Sequence, residues 1–303
     1  MKPIYEPKGK AKEYGDYALN IYTGCPHRCF YCFAPNVLHK DREAFHTNVE
    51  PRTDIVKATK QQLEKEEITG KLIHLCFTCD PYPTGYDTTP TREIIKAIKE
   101  SGNNVQILTK GDGSRDFDLL DENDWYGITL DGIGNGKDPL WKARVDALAE
   151  AHSRGIKTWI SFEPVTNERE FFINLHLVAA IADKVKIGKL NYHKSDINWA
   201  EFGKKAEKLC KRLGIDYYIK ESLRAEMERQ RNEKCSNKQP KWCELIASGK
   251  KTIEVRKTRP KCDTPFKCYI CCTKDKGVSF WTGKRHRNNG VPQEMKTRWV
   301  KEL

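Results

Sequence analysis

The chain has 303 residues, of which 38% are hydrophobic, and its formal net charge is +12. This length and apolar content allow one large and one small domain, and they exclude a chain that stays disordered. Because no apolar run is long enough to cross a bilayer and the first residues lack a signal-peptide profile, we expect a cytoplasmic protein without membrane contact.

Short β-rich runs alternate with helical patterns between residues 17 and 220, which is typical of repeated β-α units on a parallel sheet. Six strands are predicted in this region: Tyr17–Tyr22, Leu72–Phe77, Val105–Thr109, Trp125–Leu130, Thr158–Phe162 and Val185–Ile187. A further short strand and four helices are also predicted: Ile215–Ile219, and Thr91–Ser101, Pro139–Arg154, Trp199–Leu213 and Glu221–Lys234. The sequence therefore predicts an α/β domain over residues 1–234, with helix stops at three glycines: Gly102, Gly155 and Gly214.

Polar side chains stand at the carboxyl ends of several predicted strands. Cys79 and Asp80 follow the second strand, and Lys110 follows the third. Thr129 lies near the end of the fourth strand, and Glu163 follows the fifth. Because these ends line the active-site face of a β/α barrel, we expect a functional site there.

Three of the twelve cysteines, Cys25, Cys29 and Cys32, lie on one short loop directly after the first predicted strand. In a reducing compartment, such thiols are more often metal ligands than disulfide partners. Three thiolates can bind three irons of a 4Fe-4S cluster and leave the fourth iron open to another molecule. The alternative is a tetrahedral zinc site completed by His27 or His39.

The run Ala18–Cys25 and the segment Phe30–Phe33 resemble the radical S-adenosylmethionine superfamily, and within it the branch related to spore photoproduct lyase. The resemblance implies a partial (β/α)6 TIM-like barrel in which S-adenosylmethionine binds the open iron of a 4Fe-4S cluster. It also implies an external one-electron reductant, such as flavodoxin or ferredoxin, and release of a 5′-deoxyadenosyl radical.

The resemblance further implies cofactor contacts on the cysteine loop and at the strand ends. Tyr31 and Phe33 would flank the adenine of the cofactor. Asp80 would contact its methionyl amino group, and Lys110 would pair with its carboxylate, as the opposite charges require.

Two more residues complete the expected cofactor site. Thr129 can hydrogen-bond a ribose hydroxyl, and Glu163 can contact either cofactor or substrate. Purely structural roles are the alternative for several of these side chains. Asp80 could cap a turn before Pro81, Lys110 could be solvated, and Thr129 could be an ordinary strand residue.

Cys76 and Cys79 are the candidate catalytic thiols, because the photoproduct lyases use a cysteine near this point as their hydrogen-atom donor. The donor's position falls at Phe77, and the two thiols would face opposite sides of a regular strand. Phe33 replaces a tyrosine that those lyases link to radical transfer. Both departures argue against true photoproduct lyase activity, and Cys76 also fits the role of a small buried apolar residue.

The excess positive charge lies almost entirely near the end of the chain. Residues 236–303 hold 17 Lys+Arg and 6 Asp+Glu, whereas residues 1–235 hold 37 and 36. Such an excess suits a polyanion such as nucleic acid, although a solvated lysine-rich surface has the same composition.

Residues 239–257 resemble the start of an ASCH domain, a PUA-like β-barrel family associated with RNA binding or modification. The alternating strand predicted over Lys251–Arg256 makes Lys251, Glu254 and Arg256 the candidate nucleic-acid contacts. An exposed pair of Glu254 and Arg256 with little energetic effect is the alternative. The later strands of that family are absent after Trp281, so we expect a shortened ASCH/PUA-like domain over residues 235–303.

Four further cysteines in this segment suggest a second metal site: Cys262, Cys268, Cys271 and Cys272. A strand predicted over Lys267–Cys272 would put the last two thiols on opposite sides, which disfavours a common ion.

Three functions remain open from the sequence. The first is a radical enzyme of the lyase type that modifies or repairs nucleic acid. The second keeps the radical chemistry but acts on a peptide or small molecule. The third is a nucleic-acid-binding protein without catalysis, in which the cysteine loop holds a structural metal.

Overall fold

The computed structural model describes residues 2–132, 138, 140–236, 271–274 and 277–280. The chain divides into two compact units, Met1–Arg224 and Ala225–Leu303. The predicted domain boundary after residue 234 remains a prediction. Among the described residues, no helix combines the length and the apolar character that crossing a membrane requires.

The first unit contains a seven-stranded parallel sheet in which the strands follow one another in chain order. The strands are β1 (Tyr17–Leu19), β2 (Leu72–Leu75), β3 (Asn104–Thr109), β4 (Trp125–Thr129), β5 (Lys157–Val165), β6 (Lys184–Lys189) and β7 (Asp216–Ile219). Each strand is parallel to the next, from the pair Tyr17 and Ile73 to the pair Ile187 and Ile219. The predicted α/β class and partial TIM-like barrel are confirmed, with the short strand near residue 216 as the seventh member.

The described residues also form eight α-helices. They are α1 (Ala34–Val37), α2 (Arg42–Thr47), α3 (Ile55–Lys65), α4 (Thr89–Glu100), α5 (Trp141–Ser153), α6 (Glu168–Val178), α7 (Trp199–Leu213) and α8 (Glu221–Ser236). The three glycines predicted to stop helices follow α4, α5 and α7, and each has a positive φ: Gly102 (74°), Gly155 (78°) and Gly214 (69°). Glycine adopts this conformation without the steric cost of a Cβ.

Alternating side chains of the strands form the core. Ile73, Leu75, Ile107 and Ile160 are completely buried. Trp159 on β5 is also buried, and its indole N–H donates to the carbonyl of Ile107 across the sheet at 2.9 Å. Burial of apolar surface drives folding in proportion to the area removed from water. The core therefore fixes where the strands lie, and with them their carboxyl ends.

Gly127 on β4 makes room for the Trp159 indole inside the partial barrel. A Cβ at Gly127 would lie 2.2 Å from the indole nitrogen, which no side chain tolerates. Because Gly127 has no side chain, the large Trp159 ring packs directly against the backbone of β4.

Three strands end earlier than predicted, and β4 does so by a single residue, at Thr129 instead of Leu130. β1 ends at Leu19 instead of Tyr22, and β2 ends at Leu75 instead of Phe77. β2 ends at a turn at Cys76, whose φ is 69°. After this turn, the amides of Phe77 and Thr78 donate to the side-chain oxygen of Asn20 instead of to a neighbouring strand.

The second unit contains an antiparallel pair of strands, β8 (Cys271–Lys274) and β9 (Gly277–Phe280). β8 overlaps the end of the strand predicted over Lys267–Cys272. The other predicted features of this unit lie outside the described residues: the strand Lys251–Arg256, the nucleic-acid contacts Lys251, Glu254 and Arg256, and the cysteines Cys262 and Cys268.

Candidate active site

The cysteine loop follows β1 and is held against α2 by backbone contacts. The amide of Cys25 donates to the carbonyl of Phe45 at 3.1 Å. Gly24 allows this approach, because a Cβ there would lie 2.3 Å from the Phe45 oxygen. The side chain of Asp41 accepts a hydrogen bond from the amide of Ala44, which caps the start of α2.

Two side chains of α2 fix the carbonyl groups of the loop. The guanidinium of Arg42 donates to the carbonyls of Cys29, Phe30 and Cys32 at 2.6, 3.1 and 3.3 Å. A ring nitrogen of His46 lies 2.7 Å from the carbonyl of Cys25. The loop that carries the three cysteines is therefore fixed before any ligand binds.

The donor set of this loop fits a 4Fe-4S cluster. Cys25, Cys29 and Cys32 are free and half-buried. Burial raises the pKa of the Cys25 thiol, with Asp80 adding to the effect, and burial is also the main cause of the raised pKa of Cys32. Metal coordination favours the thiolate.

The three cysteines need not converge on one point to hold such a cluster. In the described part of the chain, no three His, Cys, Asp or Glu side chains converge closely enough to hold a single metal ion. In a 4Fe-4S cluster each thiolate bonds its own iron, so the ligands are spread around the cluster.

Tyr31, Lys110 and Asp131 form a hydrogen-bonded triad beside the loop. The ammonium of Lys110 donates to the Tyr31 oxygen at 2.6 Å and to the Asp131 carboxylate at 2.5 Å. The Tyr31 hydroxyl donates to the same carboxylate at 2.5 Å. Burial raises the pKa of Tyr31, and Cys29 and Asp131 raise it further. Burial lowers the pKa of Lys110, but Cys29 and Asp131 outweigh burial, so this pKa lies above its usual value.

Asp80 links the ends of β2 and β3. Its carboxylate accepts hydrogen bonds from the Tyr82 amide, the Thr109 hydroxyl and the Lys110 amide at 2.8, 2.5 and 2.8 Å. His27 lies 3.1 Å away. Burial would raise the pKa of Asp80, but the nearby His27 and these donors outweigh burial, so the pKa lies below its usual value. In this structure the side chain therefore organises the strand ends.

Thr129 and Glu163 stand at the mouth of the partial barrel. Thr129 is the last residue of β4, and its hydroxyl makes no hydrogen bond to another described residue. One Glu163 oxygen, Oε2, accepts from the Tyr14 hydroxyl at 2.5 Å and lies 2.8 Å from the Lys220 ammonium. Gly188 leaves space for this side chain, since a Cβ there would lie 2.9 Å from the Glu163 Cγ.

The expectation that Cys76 and Cys79 face opposite sides of a strand is wrong. β2 has already ended at Leu75, and the turn at Cys76 brings the two thiols close enough to influence each other's pKa. Cys76 is buried, whereas Cys79 is half-buried and its sulfur lies 3.4 Å from the amide nitrogen of Tyr22. Burial and the contact with Cys79 raise the pKa of Cys76.

Sequence reasoning gave no role to three residues that the structure brings into the site. Asp131 lies two residues after the end of β4, and Tyr14 and Lys220 come from the two ends of the first unit. Lys220 also pairs with Glu13 at 3.1 Å. Of these three residues, Lys220 had a local signal in the sequence, because it directly follows β7. Phe33, by contrast, is 52% exposed and precedes α1.

The model of the Radical SAM superfamily matches residues 19–166, from the end of β1 to just beyond β5. This segment, just under half of the chain, is therefore similar to that superfamily, and it includes the cysteine loop, Lys110, Asp131 and Glu163.

Curated relatives come from archaea, bacteria and an archaeal virus. An uncharacterized protein of Methanocaldococcus jannaschii is 30% identical over 161 residues, which is 49% of this chain and 60% of the relative. One of Mycobacterium tuberculosis is 33% identical over 102 residues, which is 31% of this chain and 29% of the relative. One of Acidianus two-tailed virus is 29% identical over 185 residues, which is 53% of this chain and 60% of the relative. The chain thus spans less than two thirds of each relative.

Solved structures share the fold. A spore photoproduct lyase variant has a TM-score of 0.55 at 13% identity, covering 71% of this chain and 79% of that chain. The same enzyme complexed with dinucleoside spore photoproduct has a TM-score of 0.52 at 14% identity, with 71% and 79% covered. Streptococcus suis SuiB bound to S-adenosylmethionine has a TM-score of 0.52 at 11% identity. This match covers 67% of this chain and 50% of that chain. Identities this low show the fold alone.

Proposed function

We propose that this chain is a radical S-adenosylmethionine enzyme of the lyase type that modifies or repairs nucleic acid. The observation that carries the proposal is the fixed loop of three free thiols, with the Tyr31–Lys110–Asp131 triad beside it at the carboxyl edge of the sheet. Cys25, Cys29 and Cys32 would hold three irons of a 4Fe-4S cluster. When bound and reduced by an external one-electron donor, the cluster supplies the electron that cleaves S-adenosylmethionine to a 5′-deoxyadenosyl radical.

The residues around the loop would bind and orient the cofactor. Lys110 presents a fixed positive charge to the methionyl carboxylate, and Asp131 keeps the ammonium aimed. Thr129 offers a hydroxyl without a partner among the described residues to the ribose. Asp80 acts mainly by holding the ends of β2 and β3, because several donors already use its oxygens.

Tyr31 is better placed than Phe33 to contact the adenine. The Tyr31 ring lies beside Lys110 and Cys29, whereas half of the Phe33 surface faces solvent. For the hydrogen-atom transfer that ends a radical reaction, Cys79 is the better candidate thiol. It is less buried than Cys76.

Two observations support nucleic acid as the substrate class. Residues 236–303 carry most of the net positive charge, which favours binding of a phosphate backbone. One structural neighbour is a lyase complexed with dinucleoside spore photoproduct. A peptide substrate is the second candidate, because another neighbour, Streptococcus suis SuiB, is bound to the precursor peptide SuiA.

The decisive experiment is anaerobic reconstitution of the cluster, reduction with dithionite and detection of 5′-deoxyadenosine from S-adenosylmethionine. The parent protein is expected to form this product, and Cys29→Ala is expected to form none, because it loses an iron ligand. A parent protein that carries the cluster but forms no 5′-deoxyadenosine would contradict the proposal and favour a binding protein with a structural metal site.

A second measurement separates the two substrate classes. Binding of single-stranded RNA or DNA that weakens steeply with salt would support nucleic acid, because bound phosphates release counterions. Absence of binding at low salt would favour a peptide or small molecule.

A further inference from the structure

The interior of the partial barrel contains a short stack of aromatic rings, which ends at Phe77, just after β2. The imidazole of His74 on β2 stacks on the ring of Phe77, with 4.4 Å between centroids and 29° between planes. Tyr14 lies beside this stack, with its centroid 5.5 Å from that of Phe77 and 5.4 Å from that of His74. Phe77 is only half-buried, so a ring that is covered on one face by His74 keeps solvent-accessible surface.

His74 supports this stack as a neutral ring. It is 1% exposed, and neither ring nitrogen has a hydrogen-bond partner in the described part of the chain. Burial, together with the charge of Lys186, lowers its pKa to about 3. The His74 ring that packs against Phe77 is therefore uncharged at neutral pH, which suits stacking of another uncharged ring on the opposite face of Phe77.

An oriented hydrogen-bond acceptor lies on the other side of Tyr14. Both polar partners of Glu163, the Tyr14 hydroxyl and the Lys220 ammonium, use Oε2. Oε1 accepts no hydrogen bond from another described residue, and 22% of the side chain is exposed. Gly188 leaves space for the carboxylate along β6, since a Cβ there would lie 3.2 Å from Oε1.

Tyr14 fixes the spacing between the ring and the acceptor. Its ring contacts Phe77 at one edge, while its hydroxyl binds Glu163. The ammonium groups of Lys186 and Lys220 lie 4.1 and 4.3 Å from the Tyr14 centroid. These cation–π contacts hold the phenol, so Phe77 and Glu163 are separated by about one aromatic side chain.

We propose that Phe77 and Glu163 together recognise one unpaired nucleobase of the substrate, and the inference rests on the proposed action on nucleic acid. The base stacks on the free face of Phe77 and donates a ring N–H to Glu163 Oε1, as uracil, thymine and guanine can. Tyr14 and Lys220 are positioning residues that keep Oε1 aimed at the base. The arrangement selects a single-stranded or extruded base, because a base inside a duplex has no free face.

The turn at Cys76 explains why an aromatic ring faces this space. It directs Cys76 into the protein and leaves Cys79 beside Tyr22, so Phe77 alone of these residues joins the interior stack. The position at which the photoproduct lyases carry a thiol therefore serves base recognition in this chain.

The test uses the full chain with its cluster reconstituted anaerobically. The probes are a short single-stranded oligouridylate and the same oligomer methylated at N3, which lacks the ring N–H. Phe77→Leu is expected to weaken binding of the unmethylated oligomer by at least about fivefold, the lower range for loss of one stacked base. Phe77→Trp is expected to retain binding. Tyr86→Leu, which changes an exposed aromatic outside the stack, is the matched control and is expected to leave the affinity unchanged.

The acceptor is tested by comparing the two oligomers. The parent protein is expected to prefer the unmethylated oligomer by about tenfold, the usual range for a hydrogen bond to a charged group. Glu163→Gln is expected to lose most of this preference. Equal binding of the two oligomers by the parent protein would overturn the role of Glu163.

The results also separate this inference from the proposed function. If the parent protein cleaves S-adenosylmethionine but binds no oligomer at low salt, the nucleic-acid function fails and the inference fails with it. If the parent protein binds the oligomer and Phe77→Leu binds it equally well, only the recognition site fails. If Phe77→Leu loses affinity for S-adenosylmethionine as strongly as for the oligomer, the ring belongs to the cofactor site and the proposal is overturned.

Discussion

Lys110 and Asp131 form an ion pair of 2.5 Å at the carboxyl ends of β3 and β4, and the side chain of Asp131 is only 3% exposed. The Tyr31 hydroxyl binds the same carboxylate. A side chain of the cysteine loop is thereby joined to two adjacent strand ends, so the loop and the sheet form one site.

Lys110→Met is expected to lower the free energy of unfolding by about 3 kcal/mol, because it leaves the Asp131 charge buried without its partner. The double variant Lys110→Met/Asp131→Asn is expected to recover much of this loss. Urea unfolding of the cluster-free protein measures both. Lys142→Met, which breaks an exposed pair with Asp146, is the control and is expected to change stability by less than about 1 kcal/mol. Similar losses from Lys110→Met and Lys142→Met would contradict the importance of burial.

Gly24→Ala is expected to reduce the iron bound per protein strongly, because its Cβ would collide with the Phe45 carbonyl and displace Cys25. Iron analysis after reconstitution measures the effect. Gly15→Ala is the matched control, since a Cβ there would meet no atom closer than 3.9 Å. Iron content in Gly24→Ala equal to that of the parent protein would show that the loop does not need the close backbone approach.

His74 is expected to make the protein less stable as the pH falls from about 6.5 towards about 3. Its pKa in the folded state is lowered, so in this window the unfolded chain binds a proton that the folded protein does not. Stability therefore rises with pH across the window, by up to about 1.4 kcal/mol per pH unit for this one proton. Above the window the group adds no pH dependence.

The variant His74→Leu is expected to flatten this dependence, as measured by urea unfolding at several pH values. His152→Leu is the control, because His152 is 41% exposed and remains hydrated. A His74→Leu protein with the same pH dependence as the parent would refute the assignment to His74.

The double variant Lys251→Gln/Arg256→Gln is expected to weaken nucleic-acid binding uniformly across sequences. It is also expected to reduce the slope of log affinity against log salt by about 2, one for each lost phosphate contact. Titrations at several salt concentrations measure the slope. Lys142→Gln, on the exposed surface of α5, controls for the loss of charge elsewhere. An unchanged slope in the double variant would place the phosphate contacts on other residues.

Local patterns were sufficient to predict most elements of the first unit. Helix α7 has the predicted bounds, Trp199–Leu213, because its amphipathic spacing and Gly214 define both its face and its end. The ends of β1 and β2 were wrong, because they depend on a bond network through Asn20 that joins residues far apart in sequence. The same network turned Cys76 away from the position that regular alternation predicts.

The sequence by itself determined the three-cysteine loop, the alternation of strands and helices, and the polar residues at the strand ends, because each depends on neighbours along the chain. Only the tertiary structure decided the partners of these residues. Asp80 proved to organise two strand ends, and Asp131 proved to be the partner of Lys110. The Tyr14 hydroxyl binds Glu163, which lies 149 positions further along the chain. Such pairings arise when the sheet of the partial barrel packs, because burial and the need to satisfy buried charges select partners that no local pattern encodes.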